Sequence, residues 1–161
     1  MNIRSKIVGL AALGAMTASP ALAIEVAKSV EVAAKPEAVW TMIGTFCDIQ
    51  NWHPAVTKCE LKQMDGMNVR TLTLPDGAAL VEEEVARDDT KMSYTYKILE
   101  GPLPVENYES TISVTGSGDM STVSWSGTFD AKGASDDEAS GVVGGIYDAG
   151  LAALKEKAGA M

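Results

Sequence analysis

Histidine and cysteine are scarce in this chain, whose 161 residues include one histidine, His53, and two cysteines, Cys47 and Cys59. A structural zinc site needs four ligands, and a site made of Cys47, His53 and Cys59 would lack one. No phosphate-binding loop and no dinucleotide-binding fingerprint is present. The sequence therefore predicts no metal site and no cofactor, and it argues against redox or phosphoryl-transfer chemistry by this chain alone.

Basic residues are also few, with 13 lysines and arginines against 22 aspartates and glutamates, so the formal net charge is -9 at pH 7. A surface of this charge repels nucleic acid and the anionic headgroups of lipids. The composition therefore excludes nucleic acid as an expected partner. It favours association with a basic protein instead.

The first 23 residues have the pattern of a secretory signal peptide. Arg4 and Lys6 form a short basic region, residues 7–16 are apolar, and the tripeptide Ala-Leu-Ala ends at Ala23. The apolar run is too short for a stable membrane anchor. We expect cleavage after Ala23 and export, to the periplasm in a bacterium. Cleavage would remove two basic and no acidic residues, which changes the charge from -9 to -11, and would leave a single domain at 24–161.

The remaining chain reads as strands, two short helices and one long helix. Alternating apolar and polar residues predict a strand at 25–33, and Pro36 then opens a short helix that ends at Gly44. A second brief helical or looped piece covers 46–49. Turns rich in glycine, proline and aspartate separate six further strands, and strands joined so closely pair antiparallel. These strands are predicted at 56–64, 68–74, 79–87, 92–99, 107–115 and 122–131.

The long helix is predicted at 135–157. Ser135 and Glu138 form a capping box, and Gly159 supplies a stop. Four glycines inside the helix each cost about 1 kcal/mol relative to alanine, which indicates either close approach of a strand or space left for a ligand. These glycines are Gly141, Gly144, Gly145 and Gly150. The predicted apolar stripe consists of Ala139, Val142, Val143, Ile146, Tyr147, Gly150, Leu151 and Leu154.

Cys47 and Cys59 lie six residues to either side of His53. Two cysteines in an exported chain favour a disulfide, which would close a loop between the second short helical piece and the second strand. Free buried thiols are the alternative. His53 is a candidate general acid or base, although its position between Trp52 and Pro54 also suits a packing role.

Five segments resemble the START and birch-pollen-allergen superfamily, also called SRPBCC, and within it the polyketide cyclase/dehydrase-like branch. They are residues 36–40 (PEAVW), 52–54 (WHP), 72–77 (LTLPDG), 101–108 (GPLPVENY) and 123–127 (VSWSG). The pattern is most similar to that of exported MxaD-like proteins, which are linked to periplasmic methanol oxidation. The resemblance implies an α+β helix-grip fold, in which a curved antiparallel sheet wraps around a long C-terminal helix and leaves an internal cavity.

The same resemblance implies where a ligand would lie. Two proline-containing loops match by position the gate and latch loops of related plant abscisic-acid receptors, and their residues are Leu74, Pro75, Pro102, Leu103 and Pro104. Simple hairpin connections are the alternative. Glu82 falls near the acidic residue that lines the receptor cavities, and Arg70 on the preceding strand is its expected partner; a solvated run of glutamates at 82–84 is the alternative. The predicted ligand-binding residues are Arg70, Glu82, Tyr94, Tyr108, Trp125, Ile146 and Gly150.

Three functions fit these features. The preferred one is a periplasmic binding protein for a small hydrophobic or amphipathic molecule. The second is an accessory protein that contacts a basic periplasmic redox protein such as a dehydrogenase or cytochrome, as the MxaD likeness implies. The third is a cyclase or dehydratase with His53 or Glu82 as its acid or base.

Overall fold

Seven strands and three helices are formed by residues 22–160, the part of the chain that the computed structural model describes. Residues 1–21 lie outside it, so the signal peptide stays a prediction. No helix within 22–160 is long and apolar enough to cross a lipid bilayer. The elements are β1 (Ile24–Val32), α1 (Pro36–Ile43), α2 (Ile49–Trp52), β2 (Lys58–Met64), β3 (Met67–Thr73), β4 (Ala79–Asp88), β5 (Ser93–Glu100), β6 (Val105–Ser117), β7 (Met120–Ala131) and α3 (Asp136–Ala158).

The strands of this region form one antiparallel sheet in the order β1-β7-β6-β5-β4-β3-β2. The predicted meander from β2 to β7 is confirmed, because each strand pairs with its neighbour in the chain. β1 pairs with β7 and so extends the sheet beyond the meander. The two short helices connect β1 to β2 between the two ends of the sheet.

α3 begins and ends where the sequence predicts. Ser135 accepts a hydrogen bond from the Glu138 backbone amide, the Glu138 side chain bonds back to Ser135, and Gly159 follows the last turn. Val142 was wrongly placed on the apolar stripe, since its side chain is 40% exposed. The buried stripe of α3 faces the inner side of the sheet, which confirms the helix-grip fold. Its members are Ala139, Val143, Gly144, Tyr147, Gly150, Leu151, Leu154 and Ala158.

The four glycines of α3 do not share one role. Gly144 lies against β1, where an added Cβ would be 3.7 Å from Lys28 Cε. Gly141 and Gly145 have nothing within 4 Å of that position. Gly150 is the tightest of the four and belongs to the site described below. The contact at Gly144 is an ordinary one that an alanine would also make, so close approach explains Gly150 alone, and its close neighbour there is a histidine ring.

Strand β4 turns its acidic residues alternately inward and outward. Glu82 and Glu84 are buried, whereas Glu83 points outward and pairs with Lys97 at 2.8 Å. The alternation of a half-buried strand produces this arrangement. The run at 82–84 is therefore not a wholly solvated edge, and one of its carboxylates enters the interior beside α3.

Candidate functional site

A cavity of about 310 Å³ lies between α3 and the inner face of the sheet. Most of its wall is apolar, with side chains from β3, β4, α2 and α3. The loop after β3 and Leu103 of the loop after β5 also contribute. Such a hollow suits a small, largely apolar molecule. The lining residues are Ile49, His53, Ala55, Val56, Leu72, Leu74, Pro75, Asp76, Leu80, Glu82, Tyr96, Leu103, Tyr108, Trp125 and Ile146.

Glu82 is the one carboxylate that is both buried and part of this wall. Register places it directly opposite Arg70 on β3, and Arg70 Nε donates to Glu82 Oε2 at 2.6 Å. Burial raises the pKa of Glu82, while the Arg70 charge and hydrogen bond oppose that rise. The predicted pair therefore exists, and its guanidinium keeps the carboxylate compatible with an apolar cavity.

Arg70 itself does not line the cavity. Its side chain has no exposed area, Nη1 donates to the Phe46 carbonyl, and the guanidinium carbon lies 3.9 Å from the centre of the Phe46 ring. Burial lowers the pKa of Arg70, but the Glu82 charge and the neighbouring tyrosines raise it, and the net shift is upward. The sequence prediction of Arg70 as a ligand contact is corrected by this enclosure: Arg70 holds Glu82, and Glu82 faces the ligand space.

His53 has both ring nitrogens engaged. Nδ1 accepts a hydrogen bond from the Ala55 amide at 3.1 Å, so Nε2 carries the proton and donates to the Ile146 carbonyl at 3.0 Å. Burial lowers the pKa of His53, the bond to Ile146 raises it, and the Arg70 charge lowers it further; the net change is downward. The ring is therefore neutral, and it ties the end of α2 to the backbone of α3.

Gly150 makes this tie possible. A Cβ at Gly150 would lie 2.5 Å from His53 Cδ2 and 2.9 Å from Trp125 Cζ3, distances that real Cβ atoms do not show. The missing side chain admits the imidazole to the helix surface one turn beyond Ile146. Gly150 thus serves His53 and does not border the cavity, which corrects its prediction as a ligand contact.

A chain of hydrogen bonds runs through aromatic side chains, three of which line the cavity. Ser110 Oγ donates its proton to the Ser126 carbonyl at 2.9 Å. In the 2.8 Å hydrogen bond between Ser110 and Tyr147, the Tyr147 hydroxyl is therefore the donor. Tyr108 must then donate to Tyr147 at 2.6 Å.

The direction of the remaining links follows in the same way. Tyr108 has used its proton, so Tyr96 donates to Tyr108 at 3.3 Å, and the Trp125 indole donates to Tyr96 at 3.0 Å. Burial raises the pKa of Tyr96 and Tyr108 well above its ordinary value, which keeps both phenols neutral. The order of donors is fixed at both ends, by an indole that only donates and a carbonyl that only accepts.

Cys47 and Cys59 are joined by a disulfide, with Cα atoms 5.5 Å apart. The bridge links the segment before α2 to β2, as the favoured alternative predicted. Phe46, whose carbonyl and ring hold Arg70, immediately precedes Cys47. The disulfide therefore fixes the segment that closes over the buried ion pair.

Residues 23–159 match the sequence model of a protein family that is described as polyketide cyclase / dehydrase and lipid transport. The chain belongs to this family. XoxI from Bacillus cereus is 39% identical, with a TM-score of 0.79 over 83% of this chain and 94% of that one. An uncharacterised protein from Bacillus thuringiensis is 38% identical, with a TM-score of 0.78 over 83% of this chain and 98% of its own.

The Zhui aromatase/cyclase from Streptomyces sp. R1128 shares the fold at 19% identity, with a TM-score of 0.72 over 85% of this chain and 94% of that one. Among curated proteins, none matches the chain. The superfamily resemblance read from the sequence is thus confirmed by the family and by the solved structures.

Within this polyketide cyclase/dehydrase family fold, the predicted site residues divide into two groups. The cavity brings together Leu74, Pro75, Leu103, Glu82, Tyr108, Trp125, Ile146 and His53. Tyr94 is buried elsewhere, against Trp40 and Phe46, and does not line the cavity. Pro102 and Pro104 line an adjoining pocket of about 540 Å³, which shares Leu103 and Tyr108 with the cavity, and they do not contribute to the cavity wall itself.

Seven residues of the cavity wall are not among those that the sequence predicts. Leu72 and Leu80 share the inward face with Arg70 and Glu82, so strand alternation alone contained the signal for them. Tyr96 shares a face with Tyr94, and only the curvature of the sheet decides which one reaches the cavity. Ile49, Ala55, Val56 and Asp76 lie in short helical or looped pieces, where no periodic pattern marks an inward side.

Proposed function

We propose that this protein binds one small hydrophobic or amphipathic molecule in the cavity between α3 and the sheet. The observation that carries the proposal is the cavity itself, with a volume of about 310 Å³, an apolar wall and one buried carboxylate. Apolar walls provide affinity and a few fixed polar groups provide orientation. The family description, which includes lipid transport, supports the same function.

Binding fits the polar groups better than acid or base catalysis does. His53 has its two nitrogens committed to Ala55 and Ile146, and Glu82 is held by Arg70. His53 cannot exchange a proton with a substrate without breaking a buried hydrogen bond, and the Arg70 charge opposes protonation of Glu82. The cyclase or dehydratase alternative therefore ranks behind binding.

The test compares two tryptophan variants on the same helix. Ile146→Trp adds bulk at a residue of the cavity wall, whereas Val142→Trp adds it one turn earlier, where the side chain is 40% exposed. Naphthalene derivatives, whose two rings suit the cavity volume, are titrated by calorimetry and by thermal shift. A bound ligand stabilises the folded state by mass action.

We expect the unmodified protein and Val142→Trp to bind the probes equally and Ile146→Trp to lose at least about tenfold in affinity, which is about 1.4 kcal/mol. Absence of binding to the unmodified protein would refute the proposal. Equal binding by Ile146→Trp would place the ligand outside the cavity and would refute it as well.

Export to the periplasm is part of the proposal. The disulfide between Cys47 and Cys59 supports it, since such bonds persist in oxidising compartments. The signal-like pattern ending at Ala23 supports it too. Fractionation of cells that express the full chain should recover a protein that begins at Ile24 in the periplasmic fraction. Recovery of the uncleaved chain from the cytoplasm would contradict this expectation.

A second candidate function is contact with a basic periplasmic redox protein, as the MxaD likeness implies. The net charge of -9 favours it, because complementary charge accelerates association. Capture from periplasmic extract at low ionic strength should recover such a partner, and salt should release it. Recovery of no basic protein under these conditions would remove this candidate.

A further inference from the structure

The polar groups that border the cavity also select the chemistry of its ligand, on the premise that the cavity binds a ligand as proposed. Six of the lining side chains carry polar atoms, and they belong to His53, Asp76, Glu82, Tyr96, Tyr108 and Trp125. Two of these groups are carboxylates, and lysine and arginine are absent from the lining. A ligand that carries a carboxylate would therefore find no free cation in the lining, because Arg70 is enclosed and paired with Glu82.

Most donors of the wall are already used. His53 donates to the Ile146 carbonyl, Trp125 donates to Tyr96, and Tyr108 donates to Tyr147. The Tyr96 hydroxyl is the exception, because its contact with Tyr108 is 3.3 Å, longer than a normal bond between two hydroxyl groups. A ligand oxygen placed nearby could take over that proton at little cost.

Glu82 has accepting capacity to spare. A carboxylate can accept about four hydrogen bonds, and the structure records one for Glu82, from Arg70 Nε to Oε2. The Arg70 guanidinium already neutralises its charge, so a cationic ligand would gain little attraction in return for losing its own hydration. A neutral donor suits this carboxylate better than an ammonium group.

Glu82 and Tyr96 lie close enough to act on one ligand group. β4 and β5 are neighbours, Glu84 pairs with Tyr96 across them, and Glu82 is two residues along the same inward face. Diagonal neighbours of this kind lie within reach of long and aromatic side chains. The structure therefore places an acceptor and an available donor on neighbouring strands of the same cavity wall.

We propose that the cavity selects a neutral hydroxyl group, phenolic or alcoholic, on an apolar ligand: the hydroxyl donates to Glu82 and accepts from Tyr96. An ammonium group could donate to Glu82 but could not accept a hydrogen bond from Tyr96. An ether could accept a hydrogen bond only from Tyr96, and a carboxylate could not donate to Glu82 and would find no free cation in the lining. A hydroxyl is the one small group among these four that satisfies both side chains.

Four naphthalenes of nearly equal size test this selection on the unmodified protein at neutral pH. They are 2-naphthol, 2-methoxynaphthalene, 2-naphthoate and 2-naphthylmethylammonium, titrated by calorimetry. We expect 2-naphthol to bind about tenfold more tightly than the ether and the ammonium, with the carboxylate weakest. If no probe binds, the proposed function fails; if the probes bind without this order, only the selection for a hydroxyl fails.

Two tyrosine variants on β5 locate the contact. Tyr96→Phe removes the available donor, whereas Tyr94→Phe removes a buried hydroxyl two residues earlier on the same face that does not line the cavity. We expect Tyr96→Phe to lower the affinity for 2-naphthol and for the ether by threefold or more and to leave the affinity for the ammonium unchanged. Tyr94→Phe should leave the affinity for each of these probes unchanged. An unchanged affinity of Tyr96→Phe for 2-naphthol would overturn the role of Tyr96. An affinity for 2-naphthoate equal to that for 2-naphthol would overturn the selection itself.

Discussion

His53 is a residue whose neutral form the fold requires. Burial lowers its pKa from the ordinary value of 6.5, while the hydrogen bond to Ile146 opposes the shift and the Arg70 charge adds to it. Below pH 6.5 the unfolded chain therefore takes up a proton that the folded chain refuses. We expect the free energy of unfolding to fall on acidification below that value, by at most about 1.4 kcal/mol per pH unit, until the folded histidine itself becomes protonated.

The variant His53→Gln isolates this contribution, because an amide can donate to Ile146 but does not titrate. Glu82 has the opposite effect on the pH dependence of stability. Because its pKa is raised in the folded protein, protonation of its carboxyl group on acidification favours the folded state. Urea unfolding followed by tryptophan fluorescence between pH 5 and pH 8 should show a smaller loss of stability on acidification in His53→Gln than in the unmodified protein. Parallel stability curves would show that His53 has the same pKa in the folded and the unfolded chain, so that its burial does not oppose protonation.

Gly150 gives a second prediction at the scale of one residue. Alanine at a helix interior normally gains about 1 kcal/mol over glycine, but at Gly150 its Cβ would lie 2.5 Å from the His53 ring. We expect Gly150→Ala to lower the free energy of unfolding by about 1–3 kcal/mol, the usual cost of overpacking. Gly145→Ala is the matched control: it has open space within 4 Å and should raise stability by up to about 1 kcal/mol. A gain in both variants would mean that the His53 contact is easily displaced.

The residues of the site differ in how far the sequence could predict them. Strand alternation and short turns place Arg70 opposite Glu82, so their pairing could be predicted. The enclosure of Arg70 by Phe46 could not, because Phe46 lies in a loop without periodicity. The partner of His53 is 93 residues away along the chain, and no local pattern connects His53 to Ile146. The sequence indicates either close approach of a strand or space for a ligand at Gly150, whereas the structure places the His53 ring there.

At the scale of elements, the disulfide holds the segment before α2 against β2. It closes a loop with a sequence separation of 12 between Cys47 and Cys59. By the loop-entropy relation, we expect the double variant Cys47→Ser, Cys59→Ser to lose about 3 kcal/mol of stability. Urea unfolding provides the measurement, and reduction of the unmodified protein is the control, since it should produce nearly the same loss. If both treatments left stability unchanged, the closed loop would contribute nothing.

Whole elements were easier to predict than their contacts. The capping box at Ser135 and the stop at Gly159 are local, so α3 was placed almost to the residue. Local spacing does not decide which side chains are buried. Val142 has helical spacing to its apolar neighbours, yet it faces solvent because the buried stripe of α3 is narrower than its apolar stripe. Likewise, two proline loops with similar composition flank the sheet, but Pro75 borders the cavity and Pro102 does not. The composition of a loop does not predict the direction in which the preceding strand curves, and this direction decides whether the loop borders the cavity.

At the scale of the whole molecule, the net charge of -9 should make stability depend on salt. Like charges repel one another more strongly in the compact state than in the extended chain. The Debye length falls from about 30 Å at 0.01 M salt to about 8 Å at 0.15 M. We therefore expect the free energy of unfolding in urea to rise over this range. Exposed pairs such as Lys28–Asp148 at 2.8 Å will weaken as salt is added, but surface pairs contribute little.

A charge-reduced variant separates this effect from general salt effects. Glu31 and Glu106 are exposed, on β1 and β6, and no salt bridge is recorded for either of them. Glu31→Gln, Glu106→Gln should therefore be more stable than the unmodified protein at 0.01 M salt, by a few tenths of a kcal/mol, roughly the size of single surface charge interactions. At 0.15 M salt the two proteins should have the same free energy of unfolding, because screening then weakens the charge repulsion in the unmodified protein that the variant lacks. Stability that falls with added salt in the unmodified protein would show that its surface ion pairs outweigh its net charge.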